Sequence, residues 1–317
     1  MMDSTGKWSK AQNVGAPLNN AGHNFLCSAS GDCKTVLLGN RYEPDGNMKA
    51  GLSKSSRVNG KWEAPKALDV KNYYNDNKFS EFSISPNCQF LVMAIQRKDG
   101  FGAKDLYVSF EQGEGYSEPL NLGATVNTAA TEMSPFLAAD GKTLFFASDG
   151  YSGYGNKDIF MTRRLDDSWT KWTEPANLGP IINSNDWDGY FSVPASGEYG
   201  YFCSENASIG KTDIFRIRLP ESLKPGATHL LKGRIVDKAT GDPLVGTLTC
   251  KARGSDKPSE VLVYDPADGD ASLILPGGAV WEITIESAGY TPRIQSFDLT
   301  TVMGHSTQFV LWELTAR

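Results

Sequence analysis

A tryptophan-led phrase recurs four times, and its spacing limits the fold more than any other property of the chain. It begins at Trp8, Trp62, Tyr116 and Trp172, at steps of 54, 54 and 56 residues. The third copy reads Gly115-Tyr-Ser-Glu-Pro-Leu-Asn-Leu-Gly123 and the fourth Lys171-Trp-Thr-Glu-Pro-Ala-Asn-Leu-Gly179. Between copies run an apolar segment, a tight turn, a second apolar segment and a Gly-rich loop. A period of this length, built from short strands, is that of the blades of a β-propeller, in which each unit buries its faces against its neighbours.

The repeats align on their central turn: Ser30-Gly-Asp-Cys-Lys-Thr-Val-Leu-Leu38, Ser85-Pro-Asn-Cys-Gln-Phe-Leu-Val-Met93, Ala138-Ala-Asp-Gly-Lys-Thr-Leu-Phe-Phe146 and Ala195-Ser-Gly-Glu-Tyr-Gly-Tyr-Phe202. An aromatic strand precedes each turn, carrying Phe25, Phe82, Phe136 or Phe191. The turn residues allow a tight hairpin. The run after the turn is apolar on both faces, as a strand sandwiched between sheets must be. A third strand follows in Lys104-Asp-Leu-Tyr107, Lys157-Asp-Ile-Phe160 and Thr212-Asp-Ile-Phe215, and the first repeat departs from it with Ala50-Gly51-Leu52. Asp105, Asp158 and Asp213 therefore recur once per blade. Catalytic pairs do not recur with a repeat, whereas structural caps do.

The last repeat has three strands and ends at Leu219-Pro220, while the phrase at Trp8 is a fourth strand with no blade of its own. Pairing the two would close a ring and remove two sheet edges. Two arrangements fit: four blades closed on themselves, or part of a larger ring. Met1 to Trp8 reads like Met161 to Trp172 with residues deleted, so the chain is expected to start inside a blade of a longer parent, one with its own leader. Burying one indole removes about 150–250 Å² from water, or about 4–6 kcal/mol gross. One turn hydrogen bond contributes only about 1 kcal/mol. The expected ranking is a loss of several kcal/mol for Trp172→Ala and about 1 kcal/mol for Asp158→Ala.

Beyond Pro220 the period stops. Residues 1–220 read as the propeller, 221–229 as a Pro-punctuated hinge, and 230–317 as a small β-sandwich of about seven strands. Strands are expected over Leu230–Val236, Leu244–Cys250, Ala271–Pro276, Trp281–Glu286 and Gln308–Leu314. The fold class is all-β, a propeller followed by a sandwich. A length of 317 residues agrees with about two domains.

A net charge of -6 with no basic stripe argues against nucleic acid. No apolar run is long enough to span a membrane as a helix, and residues 1–7 lack the apolar centre of a signal peptide. Five cysteines leave at least one unpaired within the chain. Cys33 and Cys88 occupy equivalent turn positions, Cys27 and Cys33 are placed to face each other across one hairpin, and all five are read as small semi-apolar fillers.

The residues supply little chemistry. Gly150-Tyr-Ser-Gly-Tyr154 has the wrong spacing for a nucleophile elbow. His23, His229 and His305 have no cysteine or carboxylate partner at metal-ligand spacing and are read as surface or hinge residues. The loop from Asp149 to Asp158 carries oxygens but not the spacing of a calcium loop, so it reads as a hairpin. No metal or cofactor is expected. The best ligand platform is Asp186-Trp187-Asp188 at a blade entrance, with Tyr154 nearby, although burial of Trp187 is the plainer reading.

At this point the residues carry a resemblance. Asp140-Gly-Lys-Thr-Leu-Phe-Phe146 followed by Lys157-Asp-Ile-Phe160 resembles the TolB-like (WD40-like) propeller repeat, and the Trp-x-x-Pro-x-Asn-Leu-Gly phrase resembles its form in Bacteroidetes envelope proteins. Leu231-Lys-Gly-Arg-Ile-Val-Asp237 with Thr240-Gly-Asp-Pro243 and Ala288-Gly-Tyr-Thr-Pro292 resembles the carboxypeptidase regulatory-like domain of transthyretin type. In this order the two are similar to the middle of Bacteroidetes OmpA-family proteins, some of which resemble the periplasmic anchoring subunit of the type IX secretion apparatus. The resemblance implies a periplasmic or outer-membrane-associated protein with envelope partners, among them secretion-apparatus or outer-membrane components. In that family peptidoglycan is held by an OmpA domain, which is missing before Arg317, so that contact is not carried over. The expected function is a non-catalytic envelope scaffold that binds other proteins. The alternatives are a glycan or peptidoglycan-fragment binder using Trp187 and Tyr154, and a hydrolase of unrecognised chemistry.

Overall fold

In the computed structural model, which describes residues 7–43, 45, 47–255 and 260–317, the repeats become four antiparallel sheets. The first holds β1 (Leu26–Ala29), β2 (Thr35–Tyr42), β3 (Met48–Val58) and the short β4 (Lys61–Trp62) and β5 (Lys66–Ala67). The second holds β6 (Glu81–Ile84), β7 (Phe90–Ile95), β8 (Asp105–Gln112), β9 (Gly115–Tyr116) and β10 (Leu120–Asn121). The third is β11 (Glu132–Leu137), β12 (Thr143–Ser148), β13 (Asp158–Arg163) and β14 (Ala176–Asn177). The fourth is β15 (Asp188–Ser192), β16 (Tyr199–Ser204) and β17 (Asp213–Arg218). Each is a meander, and the first strands β1, β6, β11 and β15 lie side by side in sequence order. These are propeller blades around a shared axis.

The hairpin turns explain the period. Cys33 (φ 57°), Cys88 (φ 59°), Gly141 (φ 65°) and Gly197 (φ 64°) all sit in the left-handed region at the same point of the turn. The runs after the first three turns are buried on both faces because apolar layers fill both sides, whereas β16 in the fourth sheet alternates buried and half-buried residues. One layer joins blades 1 and 2 through Leu37, Phe82, Leu91 and Tyr107. A second joins blades 2 and 3 through Val92, Leu106, Phe146 and Trp169. A third joins blades 3 and 4 through Phe145, Ile159, Phe191 and Phe202.

The phrase residues do not share one fate. Tyr116 (5% exposed) and Trp172 (4%) are buried, and the Trp172 indole donates to the Trp169 carbonyl at 2.8 Å. Trp62 is half-buried. Trp8 is 58% exposed, contrary to the expectation that the repeated aromatics pack between blades. The reason is local: β17, the strand expected to receive it, alternates half-buried and exposed residues and lies at the end of the β15-β16-β17 sheet. The expected likeness of Met1–Trp8 to Met161–Trp172 falls on residues 1–6, which are outside the described residues.

The remaining strands are β18 (Thr228–Asp237), β19 (Gly246–Ala252), β20 (Glu260–Tyr264), β21 (Ala271–Pro276), β22 (Val280–Glu286), β23 (Arg293–Asp298) and β24 (His305–Leu314). They form two sheets, β21-β18-β24 and β20-β19-β22-β23, with β18 and β24 parallel. Both sheets contribute to one core around Leu231, Ile283, Trp312 and Leu273. The segment read as a hinge is tied down. Gly226 N–H donates to Asp140 Oδ2 at 2.6 Å, Arg163 donates to the Lys224 carbonyl at 2.9 Å, and Thr228 Oγ1 donates to the Ala195 carbonyl at 2.9 Å. At the other end Gly60 N–H donates to Asp268 Oδ1 at 2.9 Å, and Gly31 lies against Ile274. The sandwich thus covers the hairpin-turn face of the propeller.

Candidate binding cleft

The inner strands leave a cleft of about 1360 Å³ to which all four blades contribute. Its wall is largely aromatic and aliphatic, with Phe25, Phe79, Trp187, Tyr190 and Ile214 among the lining residues. Several of these face solvent: Phe79 is 63% exposed, Tyr190 52% and Ile214 77%. Isolated exposed hydrophobes are ordinary, but a concave cluster contributed by four sheets is the signature of a binding surface.

Backbone irregularity shapes the wall. The register slips between Leu26 and Ser28, between Met133 and Phe136, and between Gly189 and Ser192, each time in an inner strand. At two of these bulges a non-glycine residue is left-handed: Ser134 (φ 52°) and Tyr190 (φ 52°). Such conformations are costly for L-residues and concentrate where a side chain must be re-aimed. Here they turn Tyr190 towards Trp187, with ring centroids 5.7 Å apart and planes at 56°. The indole lies so close over Gly189 that a Cβ there would come within 2.8 Å of the ring.

The charged groups of the wall are paired, whereas the Ser83 and Ser134 hydroxyls, also on the wall, are buried without a hydrogen-bond partner. Lys104 pairs with Glu81 at 3.3 Å, and both side chains are largely buried. Glu81 also accepts from the Ser134 amide. Outside the wall, Glu132 accepts from Thr128 N–H (2.9 Å), Thr128 Oγ1 (2.7 Å) and Ser148 Oγ (2.8 Å), while burial pushes its carboxyl upward. Lys157 pairs with Asp149. Cys27 and Cys203 reach the cleft as free thiols. Burial, with a smaller contribution from the Glu81 charge, pushes the Cys27 thiol up to about 12, and burial also raises Cys203. Both are held in the protonated, weakly nucleophilic form. Among the described residues no group of three or more His, Cys, Asp or Glu side chains is arranged to hold a metal ion.

The structure divides the residues singled out in the sequence. Trp187 is half-buried and lines the cleft. Asp188 is fully buried, with its carboxylate accepting from Ser184 N–H at 2.7 Å and Ser184 Oγ at 2.9 Å. Asp186 is half-buried, and its carbonyl accepts from Asn156 N–H. Tyr154 is 51% exposed on the Gly-rich loop and is not among the cleft residues. The aromatic partner of Trp187 is therefore Tyr190, which sequence reasoning passed over. The signal available was Tyr190 directly before Phe191, two aromatics where a regular strand would send one inward.

The recurring aspartates brace loops. Asp105 accepts from Phe101 N–H (2.6 Å), Gly102 N–H (3.0 Å) and Asn121 Nδ2 (3.0 Å). Asp158 accepts from Tyr154 N–H (2.5 Å), Gly155 N–H (3.2 Å) and Asn177 Nδ2 (2.8 Å). Asp213 accepts from Ile209 N–H at 2.7 Å. His23 is exposed as expected, whereas His229 and His305 lie within strands. His229 is buried in β18 with Nδ1 2.6 Å from Ser306 Oγ, and the parallel β18–β24 register sets His305 beside it, where burial lowers the His305 pKa. The two sit 76 positions apart in the chain, so spacing gave no hint of their meeting.

No family profile matches the sequence, and no curated protein matches it either. Solved structures with similarity to the chain include a protein described as TolB from Agrobacterium tumefaciens, at 17% identity over 90% of this chain and 86% of that one, with a TM-score of 0.39. TolB from Acinetobacter baumannii is 14% identical over 62% of this chain and 43% of its own length, also at 0.39. The Penicillium chrysogenum α-L-arabinanase complexed with arabinobiose is 12% identical over 88% of this chain and 99% of that one, at 0.36. At these identities and scores none of the three transfers a ligand or an activity to this chain.

Proposed function

We propose that the chain is a non-catalytic protein-interaction module of the cell envelope, periplasmic or associated with the outer membrane, whose cleft grips apolar side chains of a partner protein. The observation that carries this reading is the pairing of an exposed aromatic wall with charged groups already paired among themselves. Phe79, Tyr190 and Ile214 offer apolar surface to a partner. The Glu81 carboxylate is paired with Lys104 and the Cys27 thiol is held protonated, so neither is presented as a free base or nucleophile. The envelope setting is supported by the sequence resemblance to the TolB-like repeat and to OmpA-family proteins.

A second reading follows from the Trp187–Tyr190 pair, because two rings set at an angle make a stacking platform for a sugar face. The experiment separates the two. Tyr190→Asn keeps a residue tolerant of the left-handed backbone while removing the ring, and Phe79→Ser removes the opposite wall. A discrete envelope protein retained by the native chain and lost from both variants, with melting temperatures unchanged, is the expected result. Retention by the variants equal to the native chain refutes the partner reading. Quenching of tryptophan fluorescence by envelope glycans, with no protein retained, selects the sugar reading instead.

A further inference from the structure

In blades 2, 3 and 4 the loop after the second strand is built to one plan. The second strands end at Ile95, Ser148 and Ser204, paired with Asp105, Asp158 and Asp213 at the start of the third. Four residues before each aspartate stands a large apolar residue followed by glycine: Phe101-Gly102, Tyr154-Gly155 and Ile209-Gly210. The carboxylate accepts from the amide of that apolar residue, at 2.6 Å for Phe101, 2.5 Å for Tyr154 and 2.7 Å for Ile209. In blades 2 and 3 it also accepts from the glycine amide. The glycine lies against the next blade: a Cβ on Gly102 would come within 2.3 Å of the Ala130 carbonyl oxygen, and one on Gly155 within 2.4 Å of the Ser184 carbonyl oxygen.

The result in all three loops is a large apolar side chain held out in solvent. Phe101 is 52% exposed, Tyr154 51% and Ile209 100%. Single exposed hydrophobes are ordinary, but these recur at one position of the repeat, each set there by its own carboxylate. The loop of blade 3 shows the distinction. Tyr151 turns inward, its hydroxyl within 2.9 Å of the Thr125 and Val126 carbonyls, while Tyr154 turns outward. Blades are related by rotation about a shared axis, so equivalent positions lie at one height along it and the three tips define a plane across it. That plane is at the end of the propeller away from the sandwich. The loops leave the far end of the second strand, whereas the hairpin turns that the sandwich covers precede its start.

We propose that this end of the propeller rests on a lipid bilayer, with Phe101, Tyr154 and Ile209 inserting into its interfacial region. Three features favour lipid over a folded partner. The tips are convex and one blade apart, so they form separate points rather than the continuous patch that a protein interface needs. The three residues differ in shape and share only apolar bulk, which a fluid surface accepts and a set of fixed pockets does not. They also lie in one plane, and a bilayer is flat. The same loops carry Lys98 and Lys211 together with Asp99 and Glu205, so insertion rather than net charge supplies the binding. The inference rests on the envelope setting proposed above, but it uses residues outside the cleft wall, and the two surfaces are tested separately.

Flotation of the full chain with vesicles of phosphatidylethanolamine and phosphatidylglycerol tests it. The native chain is expected to float with the vesicles at low and at high salt. Phe101→Ser, Tyr154→Ser and Ile209→Ser each withhold one large apolar side chain from lipid and are expected to lower the partition coefficient on the order of tenfold. Their melting temperatures are expected to stay near that of the native chain, because the replaced side chains already face water. Ile209→Trp is expected to float like the native chain and to add a blue-shifted emission when vesicles are present. Tyr190→Asn, which alters the cleft, is expected to float unchanged, so failure of the partner reading and failure of the membrane reading register separately. A native chain that stays in the lipid-free fraction overturns the proposal. So does flotation indifferent to all three serine variants, or flotation abolished by salt. Serine variants that release an envelope protein while floating as before make the rim a protein interface and overturn it as well.

Discussion

Replacing Asp158 with alanine is expected to cost much more than replacing Asp213, although the two aspartates occupy the same position of the repeat. Asp158 is 2% exposed and accepts three hydrogen bonds, from Tyr154 N–H, Gly155 N–H and Asn177 Nδ2. Its loss leaves the Asn177 amide facing a cavity and removes one brace of Asn177, whose Oδ1 accepts from Asn183, the residue that bonds the Ile159 amide and carbonyl of β13. The two loop amides recover water in part. A buried donor left unmade costs about 1–3 kcal/mol, and a partly wetted one a fraction of that, so the sum is about 2–4 kcal/mol. Asp213 is half-buried and accepts from Ile209, which is wholly exposed, so water replaces the carboxylate and the loss is about 0.5–1 kcal/mol. Urea unfolding followed by tryptophan fluorescence reads the difference as a shift in midpoint at constant slope. Equal midpoint losses for the two variants refute the argument that the buried Asn177 contact, rather than the aspartate itself, sets the magnitude. The same reasoning corrects the ranking expected from sequence. Trp172→Ala remains at about 3–5 kcal/mol, but Asp158→Ala approaches it because the carboxylate is dry and shared by three donors.

Two further outcomes follow from single residues. Cys33 is exposed in a left-handed turn position where blades 3 and 4 use glycine, so Cys33→Gly is expected to raise stability by about 0.5 kcal/mol after the glycine's extra unfolded-state freedom is subtracted. A lowered melting temperature contradicts this. Burial, and next the charge of Asp32, pushes the Glu260 carboxyl up to about 8. A raised carboxyl pKa means the folded state holds the proton that the unfolded chain releases, so this stabilisation is complete in mild acid and is lost as pH rises through about 8. Glu260→Gln is expected to melt with the native chain in mild acid and above it in alkali; parallel melting curves across that range count against the assignment.

Much of the propeller was legible because its determinants are local. The left-handed demand at one turn position shows as glycine twice, at Gly141 and Gly197, and its tolerance as cysteine twice, at Cys33 and Cys88. Doubly apolar runs such as Leu91 to Ile95 announce a strand buried on both faces. What was not legible depends on partners distant in sequence. The strands β20 and β23 went unnamed because Glu260, Arg293 and Asp298 interrupt their alternation, and only the opposite sheet reveals which face is inward. Trp169 carries no repeat signature, yet it packs 4.7 Å from Phe90 of the preceding blade. The choice of Tyr154 over Tyr190 failed for the same reason: a bulge in β15, set by pairing with β16, decides which aromatic meets Trp187.

A sandwich seated on the hairpin turns changes how the array comes apart. Repeat arrays ordinarily fray from their terminal units, since each end has a neighbour on one side only. Here hydrogen bonds at Gly60 and Ala195 tie the first and the last of the four sheets to the same two-sheet unit. Neither end can peel away without first breaking from the cap, so local opening at the margins is coupled to global unfolding. Amide exchange in β2 and β16 should then slow together, and a protease that cuts between residues 220 and 228 should loosen both ends of the arc at once.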